Sequence, residues 1–342
     1  MTSPARSGRP LIAIDVDGVL APELDGRSVP AGYQRHTYRG PNSLGEPMET
    51  SVYLNPAHGR WFQALAARGA DLVWATTWRR QAAEFIAPRI ELPVNMPVIE
   101  VGPYTGTRFG HSLKHPAVAE FAADRPLAWL DDHFGGKDHG WAEERTASGL
   151  PTLLLPIPSA QGLSWAHVEI LYLWLSAQHP GNPINAAGPW EQVRLPSGDG
   201  VEMNLALSSE PADEVLHGLL TQRLGARASA FELIVQYLLA ADDAAAHLEH
   251  RLDTATAATY RRAAVARMPD RLAAMLEAKP PRSSRRGIGA ALLRGEHGAA
   301  TIEDLAARDH VIGLASAAQR ELASGITSTT TPAVSEDGRS AL

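Results

Sequence analysis

The stretch Leu11-Ile12-Ala13-Ile14-Asp15-Val16-Asp17-Gly18-Val19-Leu20 decides how the rest of the chain is interpreted. Four apolar residues lead into two carboxylates, and a glycine follows directly. An apolar run bounded by Pro10 and Gly18 predicts a short buried strand that ends at the carboxylates. Side chains at the carboxyl ends of parallel strands line the crevice in which open α/β sheets bind ligands. Asp-x-Asp-Gly is also ordinary turn chemistry, so these ten residues alone leave a ligand site and a plain turn equally open.

The composition narrows the classes of protein to consider. The 342 residues have room for two domains, and the net charge of -7 gives no overall basic field of the kind that a dedicated nucleic-acid binder carries. The chain has no cysteine, which excludes disulfides, thiol catalysis and thiolate metal sites. The apolar run near the N-terminus is too short for a signal peptide or a membrane span. We therefore expect a soluble, cytoplasmic protein that has no membrane partner.

Apolar runs alternate with helical patterns over the first half of the chain. Further strands are predicted at 71–78, 93–101, 127–130 and 152–155. Helices are predicted at 56–68, 79–88, 116–123, 138–148 and 164–177. This alternation predicts an α/β fold in which a parallel sheet is flanked by helices. The segment at about 21–56 is rich in glycine, proline and polar residues, and two short runs within it predict a hairpin flap.

The composition changes after residue 178, so residues 1–178 are predicted to form one domain. Residues 179–200 are rich in proline, glycine, asparagine and serine, which is typical of a linker. Residues 201–325 predict an all-α region of unknown role, where a protein partner would bind, and residues 326–342 a disordered tail. The predicted helices of this region lie near 211–224, 228–250, 254–278 and 301–323.

Three strands of the predicted sheet end in polar residues, and a lysine lies between the second and the third. These residues are Asp15 and Asp17, Thr76 and Thr77, Lys114, and Asp131 and Asp132. Carboxylates packed together repel one another unless a cation neutralises them. Oxygen ligands without cysteine suit a hard cation such as Mg²⁺. Together with a lysine and a threonine hydroxyl, they predict a place for a phosphoryl group, which an aspartate can accept covalently.

In this order the motifs resemble those of the haloacid dehalogenase (HAD) superfamily of phosphohydrolases. Its first motif, Asp-x-Asp-Gly-[Thr/Val] after a strand, is similar to residues 15–19. Thr76 matches the second motif, Lys114 the third, and the acidic pair Asp131-Asp132 the fourth. The runs Trp-Ala-Thr-Thr-Trp at 74–78 and Trp-Leu-Asp-Asp-His-Phe-Gly at 129–135 resemble the small HAD domains of RNA-repair proteins. The resemblance covers about residues 9–177 and implies a HAD-like Rossmannoid sheet.

The resemblance implies a role for each matched residue. Asp15 would attack phosphorus and carry the aspartyl-phosphate, and Asp17 would protonate the leaving oxygen and then activate water. Thr76 and Lys114 would hold the phosphate oxygens. The neighbouring substrate-binding positions would be Gly18 and Thr77, and Thr77 stays open as an alternative to Thr76. The expected activity is hydrolysis of a phosphomonoester.

The same resemblance implies a Mg²⁺ site. Asp132, with Asp131 behind it, would complete the site alongside the Asp15 carboxylate and the Asp17 backbone carbonyl. The substrate would be a phosphorylated small molecule such as a nucleotide, or a nucleic-acid end, because a small flap leaves the crevice open. The alternative is a non-catalytic HAD-like scaffold that carries a helical module for binding protein or nucleic acid.

Two alternatives concern a second lysine and a group of histidines. Lys137 is a rival for the role of Lys114. Four histidines, His111, His115, His133 and His139, raise the question of zinc. Their spacing fits no compact set of ligands and no cysteine supports it, so zinc is not expected.

Overall fold

A computed structural model of the chain describes residues 8–194, 216, 227–249, 253–276 and 302–325. The described strands are β1 (Leu11–Ile14), β2 (Gln34–Pro41), β3 (Pro47–Leu54), β4 (Asp71–Trp74), β5 (Thr107–Arg108), β6 (His111–Ser112), β7 (Leu127–Asp131), β8 (Thr152–Pro156), β9 (Gln192–Arg194) and β10 (Arg227–Ser229). The described helices are α1 (Ala57–Ala67), α2 (Ala87–Arg89, preceded by a π-helical turn at Ala82–Ile86), α3 (His115–Ala122), α4 (Gly136–Ala147), α5 (Trp165–Gln178), α6 (Pro183–Ala186), α7 (Ala230–Glu249), α8 (Thr254–Ala266), α9 (Met268–Leu276) and α10 (Ile302–Gly325).

Strand β1 lies at the centre of a four-stranded sheet. The order is β4-β1-β7-β8, and every neighbouring pair is parallel. All four residues of β1 are buried, as expected for a parallel strand covered on both faces. The predicted α/β fold, a parallel sheet flanked by helices with further helices after it, is therefore confirmed.

One predicted strand is reduced to a single contact. In the segment 93–101, Val98 forms an isolated parallel bridge with Trp74 at the outer edge of β4. Pro93 and Pro97 lack the N–H groups that a continuous ladder needs, which explains why the pairing does not extend.

The sheet separates two apolar layers. Ile12 and Ile14 face a large cluster that includes residues of α1, α5 and the C-terminal helices, whereas Leu11 and Ala13 face a smaller cluster with α3. Each fully buried aliphatic side chain contributes roughly 1.5–3 kcal/mol to folding. Because both faces of the sheet are covered, the carboxyl ends of its strands are where polar side chains can meet a ligand.

Two hairpins flank those strand ends. Strands β2 and β3 pair antiparallel from Gln34 to Leu54, within the segment predicted to be a flap. Tyr38 on β2 is buried against the large cluster. The short β5–β6 hairpin comes directly before the segment that carries Lys114.

The C-terminal helices pack on helix α5. Twelve of the 14 residues of α5 are buried, including Glu169, whose carboxylate pairs with Arg261 of α8. A second ion pair joins Arg68 to Glu321 of α10 at 2.9 Å. Within the stretch predicted to be a linker, α6 and β9 are ordered elements, and β9 pairs with β10.

Helices α7 to α10 account for three of the predicted C-terminal helical segments. The helix expected near 211–224, except Leu216, and the tail at 326–342 lie outside the described residues. In the part of the chain that is described, no helix combines the length and apolarity that crossing a bilayer requires.

Candidate active site

The turn after β1 brings its polar residues toward strand β7. The Asp15 N–H donates to the Leu130 carbonyl at 3.1 Å, and the N–H groups of residues 19, 20 and 21 all donate to the Val16 carbonyl at 2.8–3.2 Å. Gly18 has a φ of 71°, and a Cβ at this position would lie 2.5 Å from Asp132 Oδ2. Glycine is therefore required at this position, because it allows the Asp132 carboxylate to lie directly against the turn.

Lys114 joins the first and fourth motifs. Its Nζ donates to Asp15 Oδ2 and, at 2.8 Å, to Asp131 Oδ2. All three residues are at most 2% exposed. Burial acts to lower the pKa of Lys114, but the charges of Asp15 and Asp131 outweigh it and hold this pKa above its ordinary value. The lysine is thus a buried ammonium ion shared by two carboxylates.

Asp131 lies behind Lys114. Besides the lysine, its carboxylate accepts hydrogen bonds from Trp129 Nε1 at 3.2 Å and from the His133 N–H at 3.0 Å. Burial, followed by the charge of Asp15, raises the pKa of Asp131. These bonds occupy both of its oxygens, so its contacts are those of a residue that positions Lys114.

Asp17 lies in a different environment from Asp15. Its Oδ1 accepts a hydrogen bond from Trp78 Nε1 at 2.8 Å, and Trp78 in turn contacts Tyr38 of the flap, with ring centroids 4.8 Å apart. Burial, with a smaller contribution from the charge of Asp15, raises the pKa of Asp17 to about 6. A carboxyl group with such a pKa can hold and release a proton near neutral pH.

Two adjacent threonines follow β4. The Ala75 N–H donates to the Ile14 carbonyl at 2.8 Å, which brings this strand end beside that of β1. Thr76 is fully buried, and its hydroxyl accepts from the Trp78 N–H at 3.3 Å. Thr77 lines the crevice described next. Both threonines therefore stay candidates for the second motif.

A crevice of about 1000 Å³ lies between the flap and the ends of the strands. Its lining includes Asp17, Glu23, Tyr38, Thr77, Trp78 and Arg79. The crevice extends to Pro103 and Thr105, and the intervening Tyr104 is 64% exposed. At the tip of the β5–β6 hairpin Phe109 is 79% exposed, and the Arg108 guanidinium lies 4.9 Å from the centre of its ring.

The structure brings together most of the residues predicted from the sequence. Asp15 and Asp131 each contact Lys114, and Asp132 lies against Gly18. Asp17 lies in the same turn as Asp15, two residues further along the chain. Lys137, the rival of Lys114, instead lies on α4 against Gly110. The pairing of Trp78 with Asp17 could not be predicted from the sequence, because a tryptophan at a strand end is more often part of a core.

The donor atoms in this region fit a hard divalent cation. Among the described residues, the four aspartates of the site have one lysine beside them, and its ammonium group contacts only Asp15 and Asp131. Negative charge therefore remains for a cation to neutralise. Asp131, Asp132 and His133 also have ligand atoms within 4.8 Å of one another. Both oxygens of Asp131 accept hydrogen bonds. In the described part of the chain, Asp132 instead pairs only its Oδ1, with His133 Nδ1 at 2.6 Å, and its Oδ2 lies at the Gly18 turn. Asp132 is therefore the better placed of this pair to bind an ion.

A parallel sheet whose central strand ends in two aspartates, the first held by a buried lysine, is the arrangement expected of a HAD phosphohydrolase domain. Residues 11–168 match the family model described as "HAD domain in Swiss Army Knife RNA repair proteins". The match covers 158 of the 342 residues, and over this part the chain is similar to that HAD family. No curated protein and no solved structure gives a significant match to the chain.

Proposed function

We propose that residues 11–168 form a Mg²⁺-dependent phosphomonoester hydrolase that acts through an aspartyl-phosphate on Asp15. The observation that supports this most strongly is the contact of Lys114 Nζ with both Asp15 and Asp131. The lysine places a positive charge beside a candidate nucleophile, where phosphoryl oxygens would gather. Phosphoryl transfer depends mainly on such positioning and charge neutralisation.

The proposed reaction has two steps, formation of the aspartyl-phosphate on Asp15 and its hydrolysis. An oxygen of Asp15 attacks phosphorus in line while Asp17 gives its proton to the leaving oxygen, and the bond between phosphorus and that oxygen breaks. Asp17, now ionised, takes a proton from a water molecule that attacks phosphorus and releases phosphate from Asp15. The raised pKa of Asp17 supports both of its roles. Lys114 holds the phosphoryl oxygens in both steps.

Residues for the metal ion are present at the same strand ends. Asp15, Asp132 and the backbone carbonyl of Asp17 would hold Mg²⁺, and Asp131 would stand behind them. When bound, the ion would add charge neutralisation at the phosphoryl group.

We propose a phosphorylated nucleic-acid end as the substrate. The family model describes a domain of RNA repair proteins, which supports this substrate over a small metabolite. The flap is a single hairpin, so one side of the crevice is open to a long molecule. The exposed ring of Tyr104 lies between two residues that line the crevice, Pro103 and Thr105, and the β5–β6 hairpin that follows carries the exposed ring of Phe109 and the charge of Arg108. Base stacking on aromatic rings is common in the binding of unpaired strands.

The test is a phosphate-release assay on the purified full-length protein. We expect Mg²⁺-dependent release from 3′- or 5′-phosphorylated oligonucleotides, faster than from nucleotides or sugar phosphates, and loss of release in EDTA. Asp15→Asn, which keeps the shape of the side chain, should be inactive. A folded wild-type protein that releases phosphate from none of these esters in Mg²⁺ would contradict the proposal.

A further inference from the structure

A second group of potential metal ligands lies beside the candidate active site. It combines His111 of β6, His115 of α3 and Asp138 of α4, whose ligand atoms all lie within 4.8 Å of one another. Nδ1 of His111 is 2.9 Å from Asp138 Oδ1, and Nδ1 of His115 is 2.8 Å from the same oxygen. Three separate elements thus direct two imidazole nitrogens and one carboxylate oxygen to one point.

The carboxylate of this cluster is held rigidly. Asp138 is fully buried, and its other oxygen, Oδ2, accepts the N–H of Ser112 at 2.7 Å and that of Gly135 at 2.8 Å. The His115 ring packs edge-on against Trp141, with centroids 4.7 Å apart. Outer partners that fix the orientation of each ligand are a regular feature of metal sites.

Hydrogen bonding explains only part of this arrangement. The His115 Nδ1 atom is buried and lies 2.8 Å from Asp138 Oδ1, yet the two atoms are not aligned as a hydrogen bond. The His111 and His115 rings also approach to 4.3 Å between centroids. Two nitrogens that converge on one carboxylate oxygen, one of them without a well-aligned partner, are placed as ligands of a shared ion would be.

We propose that His111, His115 and Asp138 bind a divalent transition-metal ion of the Zn²⁺ class, at a site separate from that of Mg²⁺. Imidazole nitrogen with one carboxylate suits Zn²⁺ and its neighbours, whereas Mg²⁺ prefers oxygen ligands alone. Water would fill the remaining positions, since tetrahedral zinc takes four ligands.

The site would hold the segment that carries Lys114. Ser112 and His115 lie on either side of that segment, and the Lys114 N–H donates to the Ser112 hydroxyl at 3.3 Å. An ion at the cluster would fix β6, the start of α3 and the start of α4 to one another. Its role is therefore structural, and it keeps Lys114 in place without contacting the substrate.

The test uses Co²⁺ as a spectroscopic probe for Zn²⁺ in the metal-stripped full-length protein. We expect one equivalent of Co²⁺ to bind with visible absorption bands of nitrogen ligation, to be displaced by Zn²⁺, and to resist excess Mg²⁺. His111→Ala, which changes the more exposed of the two histidines, should weaken Co²⁺ binding at least about tenfold. His115→Gln provides a second variant if one of the two fails to fold.

Two controls distinguish this site from its surroundings. His139→Ala changes a histidine adjacent to Asp138 that does not belong to the cluster, and Asp15→Asn removes a ligand of the proposed Mg²⁺ site. Neither should alter Co²⁺ binding. Absence of Co²⁺ binding to the wild type, displacement by Mg²⁺, or equal binding by wild type and both cluster variants would overturn the proposal.

Discussion

At the scale of single residues, Lys114 determines how the aspartates of the site differ from one another. Lys114 contacts Asp15 and Asp131. Asp17 instead accepts a hydrogen bond from Trp78, and Asp132 lies against the turn at Gly18. Side chains of one type therefore acquire different partners and different environments. Such a separation of environments is how a site obtains a nucleophile and an acid from two carboxylates.

The first prediction contrasts Asp15 with Asp131. Asp15→Asn should abolish phosphate release and leave the free energy of unfolding within about 1 kcal/mol of wild type, because Lys114 keeps Asp131 as a partner. Asp131→Asn should destabilise the fold by about 1–3 kcal/mol, because this carboxylate accepts three hydrogen bonds in a buried position. Urea unfolding in EDTA, together with the assay, measures both effects. An active Asp15→Asn protein would remove Asp15 from the reaction.

The second prediction concerns the close approach of Asp132 to Gly18. Gly18→Ala should greatly lower Mg²⁺-dependent activity, because the new Cβ would displace the Asp132 carboxylate. Gly26→Ala is the matched control: Gly26 also has a positive φ, 82°, but a Cβ there meets no atom within 4 Å. Both substitutions carry a backbone strain of roughly 1–2 kcal/mol, so only the local clash separates them. Equal activity of the two variants would show that the placement of Asp132 is not needed.

The position of a site residue can be predicted from the sequence when that residue lies at the end of a sheet strand. Asp15 and Asp131 follow apolar runs, so their meeting at one sheet edge could be predicted from alternation alone. The cluster of His111, His115 and Asp138 could not, because Asp138 comes from a helix that follows the next strand. Its position depends on how the β5–β6 hairpin folds back onto α4, which no local pattern encodes.

At the scale of elements, the β5–β6 hairpin offers a direct test of the proposed substrate. Phe109→Ala should raise the KM for a phosphorylated oligonucleotide roughly tenfold, because stacking of one base on an aromatic ring contributes about 1–3 kcal/mol. The KM for p-nitrophenyl phosphate should not change. Val94→Ala, another exposed apolar side chain, serves as the control. A similar loss with both substrates would mean that Phe109 supports the fold of the site instead of binding the strand.

The elements themselves follow the sequence where apolar periodicity is strong. The four strands of the sheet were predicted because each contains a short apolar run. The segment 93–101 shows the limit: its apolar residues resemble a strand, but two prolines leave only the Val98 bridge. Strand β9 was not predicted, because its pairing with β10 depends on a partner more than thirty residues later.

At the scale of the whole molecule, ion pairs cross the boundary predicted at residues 179–200. Arg261 reaches Glu169 of α5 at 3.1 Å and Asp242 of α7 at 2.9 Å, and its side chain is 13% exposed. Composition predicted a linker here but could not reveal these contacts, because they join residues distant in sequence. The separate folding of residues 1–178 stays a prediction. In such a fragment, the surface of α5 that packs on the C-terminal helices would be exposed to solvent.

Arg261→Met should therefore lower the free energy of unfolding by about 3–5 kcal/mol, because it leaves the Glu169 carboxylate buried without its main partner. Arg39→Met is the control, since Arg39 and Glu49 are 76% and 60% exposed, and such surface pairs contribute roughly 0–1 kcal/mol. Urea denaturation of both variants measures the difference. If Arg261→Met is as stable as Arg39→Met, the contacts across the boundary do not support the fold.

Acid stability should depend on His58. This residue of α1 is fully buried against Tyr33 and Trp61, and burial lowers its pKa to about 3. Only the unfolded chain can take up the proton between pH 6.5 and about 3, so the native state loses about 1.4 kcal/mol per pH unit over that range. His58→Asn should remove this contribution, whereas His247→Asn, at an exposed site, should not. Unfolding measured at pH 7 and pH 5 gives the two slopes, and equal slopes in wild type and His58→Asn would refute the assignment.

Because β1 pairs with two strands that lie later in the chain, it cannot be completed until both have been synthesised. Leu11 emerges early, but its partners on β4 and β7 begin at residues 71 and 127. Synthesis proceeds at about 5–20 residues per second, so β1 remains without its second neighbouring strand, β7, for on the order of ten seconds. Parallel pairing between such distant segments is slow to form and exposed to aggregation meanwhile. We therefore expect the nascent chain to be prone to aggregation until β7 has emerged.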